Sequence, residues 1–241
     1  MKARSAFFKL FLLGLLLISL INCQKEAIQT DSTVAIIFYP TLTYGSVTDI
    51  EGNVYKTITI GTQTWMAENL KTTKYRNGDP IANVTENTGW SALSTGAYCW
   101  FKNDAATYKG TFGALYNWYA VADSRNIAPT GWHVSTSAEW TTLTTYLGTD
   151  PGSQLKETGV THWITPNTGA TNKSGFTALP GGLRYHTDGA FSSMGTNGLW
   201  WTKTNSDATN AWYSSLYYTY STANLSSLHR QFGFSVRCVK D

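Results

Sequence analysis

The chain has 241 residues, and only 14% of them are charged, against about a quarter in an ordinary soluble domain. Its formal charge of +3 belongs to the first 22 residues, where Lys2, Arg4 and Lys9 stand without an acid; the rest carries 15 bases against 15 acids. That balance removes an electrostatic case for nucleic acid as a partner, and ten Trp and fourteen Tyr exclude a disordered chain.

The leader comes first. Lys2, Arg4 and Lys9 precede the apolar run Leu10–Ile21, which ends at Asn22 and Cys23. The uncharged stretch of 14 residues from Leu10 to Cys23 is shorter than the roughly 18–20 that span a bilayer. Residues 1–22 are therefore read as a signal peptide. A cysteine at the end of the apolar run resembles a bacterial lipoprotein signal, with Cys23 the lipidated first residue of the mature chain. Gln24-Lys25-Glu26 partly resembles the signal that sends Bacteroidetes-type lipoproteins to the outer face of the outer membrane. The expected location is the cell envelope, with the membrane as a partner through Cys23. Asn22, larger than the usual neighbour of the lipidated cysteine, departs from the pattern.

Residues 23–46 read as a tether, with the apolar run Val34–Tyr39 as a first strand stopped at Pro40. A relaxed linker of about 25 residues reaches roughly 25–30 Å. The compact domain is placed at residues 47–241. Val54–Ile60 is rich in β-branched residues and turns through Gly61 into Thr64-Trp65-Met66, a hairpin. Residues 69–95 read as loops, and Gly96–Phe101 as a strand. Two helices are expected: Gly113–Asp123, with Leu115, Trp118, Tyr119 and Ala122 on one face, and the segment behind the capping box Thr136-x-x-Glu139, ending at Gly148. A short turn around Leu155 follows. Then come strands at Gly175–Leu179, Gly198–Thr204 and Ala211–Tyr220, with Pro180-Gly181-Gly182 as a breaker. In Phe232–Val239, Phe232, Phe234, Val236 and Cys238 alternate with Gly233, Ser235, Arg237 and Val239, placing Cys238 on an inward face. The order is α+β, mostly antiparallel, with two helices.

These segments carry a pattern: Asp49-Ile50-Glu51-Gly52-Asn53-Val54-Tyr55, Ile60–Leu70, Gly113–Trp118, Gly131-Trp132-His133-Val134, Ser174–Arg184, Leu199-Trp200-Trp201-Thr202 and Gly233–Val239. The pattern closely resembles the Fibrobacter succinogenes major paralogous domain, whose members are mostly exported proteins or lipoproteins. The resemblance implies a C-type-lectin-like fold related to that of the formylglycine-generating enzymes. It implies no activity, because such folds carry binders and enzymes alike.

With Cys23 lipidated, Cys99 and Cys238 are the candidates for one disulfide in an oxidising compartment. Closing a loop of that length would contribute on the order of 4–5 kcal/mol; the alternative is two buried free thiols. No metal site and no cofactor are assigned, with calcium kept as a candidate because Asn103, Asp104, Asn205 and Asp207 supply oxygens in short loops. The candidate ligand contacts are Trp90, Trp100, Trp200, Trp201, Trp212, Arg184 and His186, because exposed indoles stack on the apolar faces of sugars. Adjacent Trp200 and Trp201 must point to opposite faces of a strand, one into the core and the other outward or under a loop. The leading expectation is a non-catalytic binding or adhesion domain for polysaccharide or another surface protein. The rivals are an envelope enzyme or enzyme accessory with a site around His133, His186 and Arg184, and a structural component of surface filaments or matrix.

Overall fold

The computed structural model describes residues 34–241; the leader, Cys23 and residues 24–33 lie outside it. The chain forms, in order, β1 Gly45–Thr48, β2 Val54–Ile60, β3 Gln63–Met66, β4 Ala82–Asn83, α1 Asn87–Ser91, β5 Ala97–Cys99, α2 Ala105–Phe112, β6 Leu115–Tyr116, α3 Trp118–Ala122, β7 Trp132–Val134, α4 Ser137–Leu147, α5 Pro151–Leu155, β8 Gly181–Arg184, β9 Phe191–Met194, β10 Asn197–Asn205, β11 Asn210–Tyr217, β12 Asn224–His229 and β13 Cys238–Lys240. A single 3-10 turn, Phe101–Asn103, precedes α2. This is a mixed α+β architecture.

The β2–β3 hairpin forms as its residues dictate. Ile60 pairs with Gln63, so Gly61 and Thr62 make a two-residue turn, and Gly61 adopts the positive φ of +61° that such turns need. The last strand, β13, inserts between β3 and β7, giving the five-stranded order β1-β2-β3-β13-β7 with every pair antiparallel. A second sheet runs β10-β11-β12, a third β4-β5-β6 and a fourth β8-β9; the β4–β5 pair is parallel.

Helix α4 starts where its capping box requires. The Thr136 hydroxyl accepts from the Glu139 amide at 3.2 Å, and the Glu139 carboxylate accepts from the Thr136 amide at 2.7 Å. Gly148 ends it at φ +69°, its amide donating to the Thr144 carbonyl.

Among the described residues there are five helices; α4 is one of the two expected, and α5 is the turn expected around Leu155. The apolar spacing of Gly113–Asp123 does not make one helix. Gly113, at φ +71°, ends α2, and a side chain there would come within 2.6 Å of the Leu70 carbonyl. Leu115 and Tyr116 pair with Cys99 and Tyr98, and α3 begins only after Asn117, whose side chain caps it through the Ala120 amide at 3.1 Å. Helix α1 lies within a stretch read as loops. Gly181-Gly182, read as a breaker, lies in β8. Val34–Tyr39 forms no strand. Residues 232–239 are buried on both sides rather than one, and only their end is strand; Gly233, Phe234 and Ser235 make single bridges to Arg184, Tyr116 and Trp200. The segment threads between three core clusters. One holds Tyr116, Trp201 and Phe234, the second Trp65, Trp140, Trp163, Phe176 and Trp200, and the third Trp90, Phe101, Phe112 and Leu179.

Candidate functional site

The tryptophans proposed as contacts are mostly core. Trp200 and Trp201 do point to opposite faces of β10, but both faces are covered and both rings are fully buried. Trp200 packs on Trp140 at 5.8 Å between ring centres and donates to Asn69 Oδ1 at 2.9 Å. Trp201 packs on Phe234 at 4.5 Å and donates to the Tyr116 carbonyl. Trp90 is fully buried, its indole donating to the Gln231 carbonyl at 2.9 Å, and Trp100 lies against Tyr98 at 5.4 Å. Of the five, Trp212 alone is half-buried rather than buried. An isolated sequence cannot separate a core indole from a surface one; Trp140 and Phe176 cover one face of β10 and Phe234 the other.

Arg184 is a strut rather than a contact. Its fully buried guanidinium donates to the carbonyls of Gly189, Val84 and Thr85 and to Asn87 Oδ1 at 2.6–3.1 Å, between the rings of Trp90 and Phe191. His186 is half-buried and stacks on His229, with ring centres 4.6 Å apart, beside Phe232. Burial and the neighbouring His229 push the His186 pKa down, with Asp188 opposing. His133 is engaged elsewhere, with Nε2 on Glu139 at 2.7 Å and Nδ1 on Asp241 at 2.6 Å. His133, His186 and Arg184 thus each serve a different set of partners. They do not form the shared site that an enzyme built on them needs.

The cysteines take the alternative kept beside the disulfide. Cys99 and Cys238 are both free and buried. Cys99 sits on β5 in the third cluster and Cys238 on β13 in the first, so different packing layers hold them. Burial pushes the Cys99 thiol up to about 12 and raises that of Cys238 as well, which keeps both protonated and unreactive.

In the loops kept for calcium, Asp104, Asn205 and Asp207 spend side-chain oxygens internally, whereas Asn103 is engaged through its amide nitrogen. Asp104 caps α2 through the Thr107 amide and hydroxyl. Asn103 donates to the Thr85 carbonyl, Asp207 accepts from Thr209 and Asn210, and Arg230 donates to Asn205 Oδ1. Among the described residues no group of three acidic, His or Cys side chains is arranged to hold a metal ion.

A concave surface does exist, where sequence reasoning did not look. A cavity of about 270 Å³ opens between the β2–β3 turn and the C-terminal end of α4. Ile58, Ile60, Leu42 and Leu147 line it with apolar surface; Thr59, Gln154, Ser174 and Lys173 form its polar rim. Tyr146, 66% exposed, walls it. The ring lies on Gly61, where an added Cβ would come within 2.9 Å of it, so the glycine both makes the turn and lets the ring lie flat. The volume is just under the ~300–1,000 Å³ of drug-sized pockets, which suits one ring-sized group. A second cavity, of about 190 Å³, is lined by Asp49, Arg76 and residues 127–130. Its charged groups are occupied: Asp49 accepts from Glu51, Asn53 and Tyr55, and Arg76 donates to the carbonyls of Ala128, Pro129 and Trp132.

The fold and cavities define a mixed α+β domain whose buried Arg184, Arg237 and Lys156 are committed to oxygens of the fold itself. The chain belongs to the Fibrobacter succinogenes major domain family, whose model matches residues 58–240. No curated protein and no solved structure gave a match.

Proposed function

We propose that the chain is an outer-membrane lipoprotein of the cell envelope, anchored through Cys23. Its C-type-lectin-like domain binds one sugar residue of a polysaccharide without catalysis. The leader and its terminal cysteine support the anchor. The observation that carries the binding reading is the exposed Tyr146 side chain beside an apolar lining, with hydroxyl, amide and ammonium groups among the lining residues. A pyranose offers a matching apolar face and ring of hydroxyls, and aromatic rings take the former while polar side chains take the latter. The buried ionisable groups do not favour chemistry. Arg184, Arg237 and Lys156 donate to carbonyl and amide oxygens of the fold itself.

Affinity electrophoresis and a glycan array, run on the intact chain and on Tyr146→Ala, test the reading. Retention on at least one polysaccharide, lost in the variant, is expected. Absence of retention on every glycan overturns it. Loss of membrane association in Cys23→Ser tests the anchor separately, and an unchanged membrane fraction refutes it.

A further inference from the structure

Residues Val34–Tyr39 lie against the body as an arm that joins no sheet, and a turn at Tyr39–Leu42 returns the chain past Pro40 to the first hairpin. Beneath the arm lie two fully buried ionisable side chains, Glu157 and His162, bonded to each other at 2.6 Å through Oε2 and Nδ1. Their remaining polar atoms face the arm. Glu157 Oε1 accepts from the Ile37 amide at 2.7 Å, and His162 Nε2 meets the Val34 carbonyl at 3.1 Å.

The second contact fixes the protons. A carbonyl only accepts, so Nε2 carries a hydrogen, and a second proton sits in the short Nδ1···Oε2 contact. The pair is neutral overall. Phe112 stands edge-on to the imidazole at 5.6 Å and keeps that side dry. The arm thus covers the pair and pairs both its free carboxyl oxygen and its imidazole N–H, as buried polar groups require. The seat therefore calls for a backbone N–H and a backbone C=O three residues apart. Ile36 and Phe38 add apolar contacts on the body, whereas Val34 and Ile37 are 37% and 40% exposed.

We propose that Glu157 and His162 form a peptide-acceptor seat, filled in cis by Val34–Ile37 and able to take the same segment from a second copy of this chain. The seat reads backbone atoms and two apolar side chains, and a neighbour's arm presents these identically. The arm is held by no strand ladder and enters the body through the turn at Tyr39–Leu42, so exchange leaves the sheets intact. Low-cost linkage of copies by exchanging an identical element is a general route to assembly.

The test uses the full chain and a fluorescent synthetic peptide spanning residues 34–44. Ile37→Pro deletes the N–H that Glu157 accepts and changes a side chain facing outward, which frees the seat. The variant is expected to bind the peptide saturably and at least about tenfold tighter than the unmodified chain. A peptide carrying proline in place of Ile37 is expected to bind at least about tenfold more weakly. Equal affinity for the two peptides, or no binding by the variant, overturns the proposal. Should the variant misfold, the unmodified chain serves. Excess peptide then accelerates proteolysis of the chain's own arm and the proline peptide does not; equal effects of the two refute the exchange.

Discussion

Asn69 Oδ1 accepts a hydrogen bond from Arg237 Nε at 2.7 Å in the centre of the domain, with both residues essentially inaccessible to solvent. The same oxygen accepts from Trp200 Nε1, and Asn69 Nδ2 donates to the Phe112 carbonyl at 2.8 Å and to Ser235 Oγ. One amide thus joins β10, the end of α2 and the C-terminal segment. Arg237 completes its own set on the carbonyls of Met66, Phe176 and Thr177, its guanidinium against the Phe176 ring. Asn69→Ala strands an Arg N–H, an indole N–H and a carbonyl in the core. Each such group costs about 1–3 kcal/mol, so the variant should lose at least about 3 kcal/mol in urea denaturation. A loss under about 1 kcal/mol would show that Asn69 is dispensable.

Lys156 poses the same problem with a group that titrates. Its Nζ donates to the carbonyls of Thr168, Tyr217 and Tyr220 at 2.8–3.2 Å, with Trp163 alongside. Burial lowers its pKa to about 8. Between pH 8 and the unfolded value near 10.4 the unfolded chain binds more protons than the folded one, so this group makes stability rise with pH across that window. Denaturation at pH 7, 8, 9 and 10 should show Lys156→Met losing a rise on the order of 1–3 kcal/mol relative to the unmodified chain. Parallel pH profiles for the two proteins would remove Lys156 as the source.

How far the residues announce the structure depends on whether the signal is local. The β2–β3 hairpin and the α4 capping box are decided by neighbours within a few positions, and both form where the spacing places them. The segment Gly113–Asp123 fails because its apolar spacing serves three environments in turn: the end of α2, a strand paired with β5, and α3. Alternation in 232–239 points to an inward face but cannot reveal that other elements cover the reverse face too, which is what buries Ser235 and Arg237. The same blindness made Trp90, Trp100, Trp200 and Trp201 look like ligand contacts. Tyr146 was missed because an outward residue on an amphipathic helix looks like any solvated position; only the distant Gly61 turn gives its ring a floor.

His133 links the last residue of the sequence to the first turn of α4. Burial opposes its charge, but the hydrogen bonds it donates to Asp241 and Glu139 outweigh that and raise its pKa. A raised value means the contribution is fully present below the unfolded pKa near 6.5 and fades as pH climbs through the folded value. His133→Ala should therefore lower Tm more at pH 6 than at pH 9. Equal losses at the two pH values would mean that the imidazole acts by packing alone.

The two buried cysteines make the last expectation sharp, because the proposed envelope location and the fold pull in opposite directions. An oxidising environment favours a bridge, yet a disulfide needs Cα atoms within about 7 Å and converging side chains. Cys99 pairs with Leu115 in the β4-β5-β6 sheet, and Cys238 pairs with Val134 in the five-stranded one, each thiol in a different core cluster. With both thiols protonated and shielded, alkylation of the native chain should leave Cys99 and Cys238 unmodified for hours. Alkylation in denaturant without reductant should modify both. Mass spectrometry of the peptides distinguishes the outcomes: a Cys99–Cys238 peptide pair that appears only without reductant would show that the two layers come together after all.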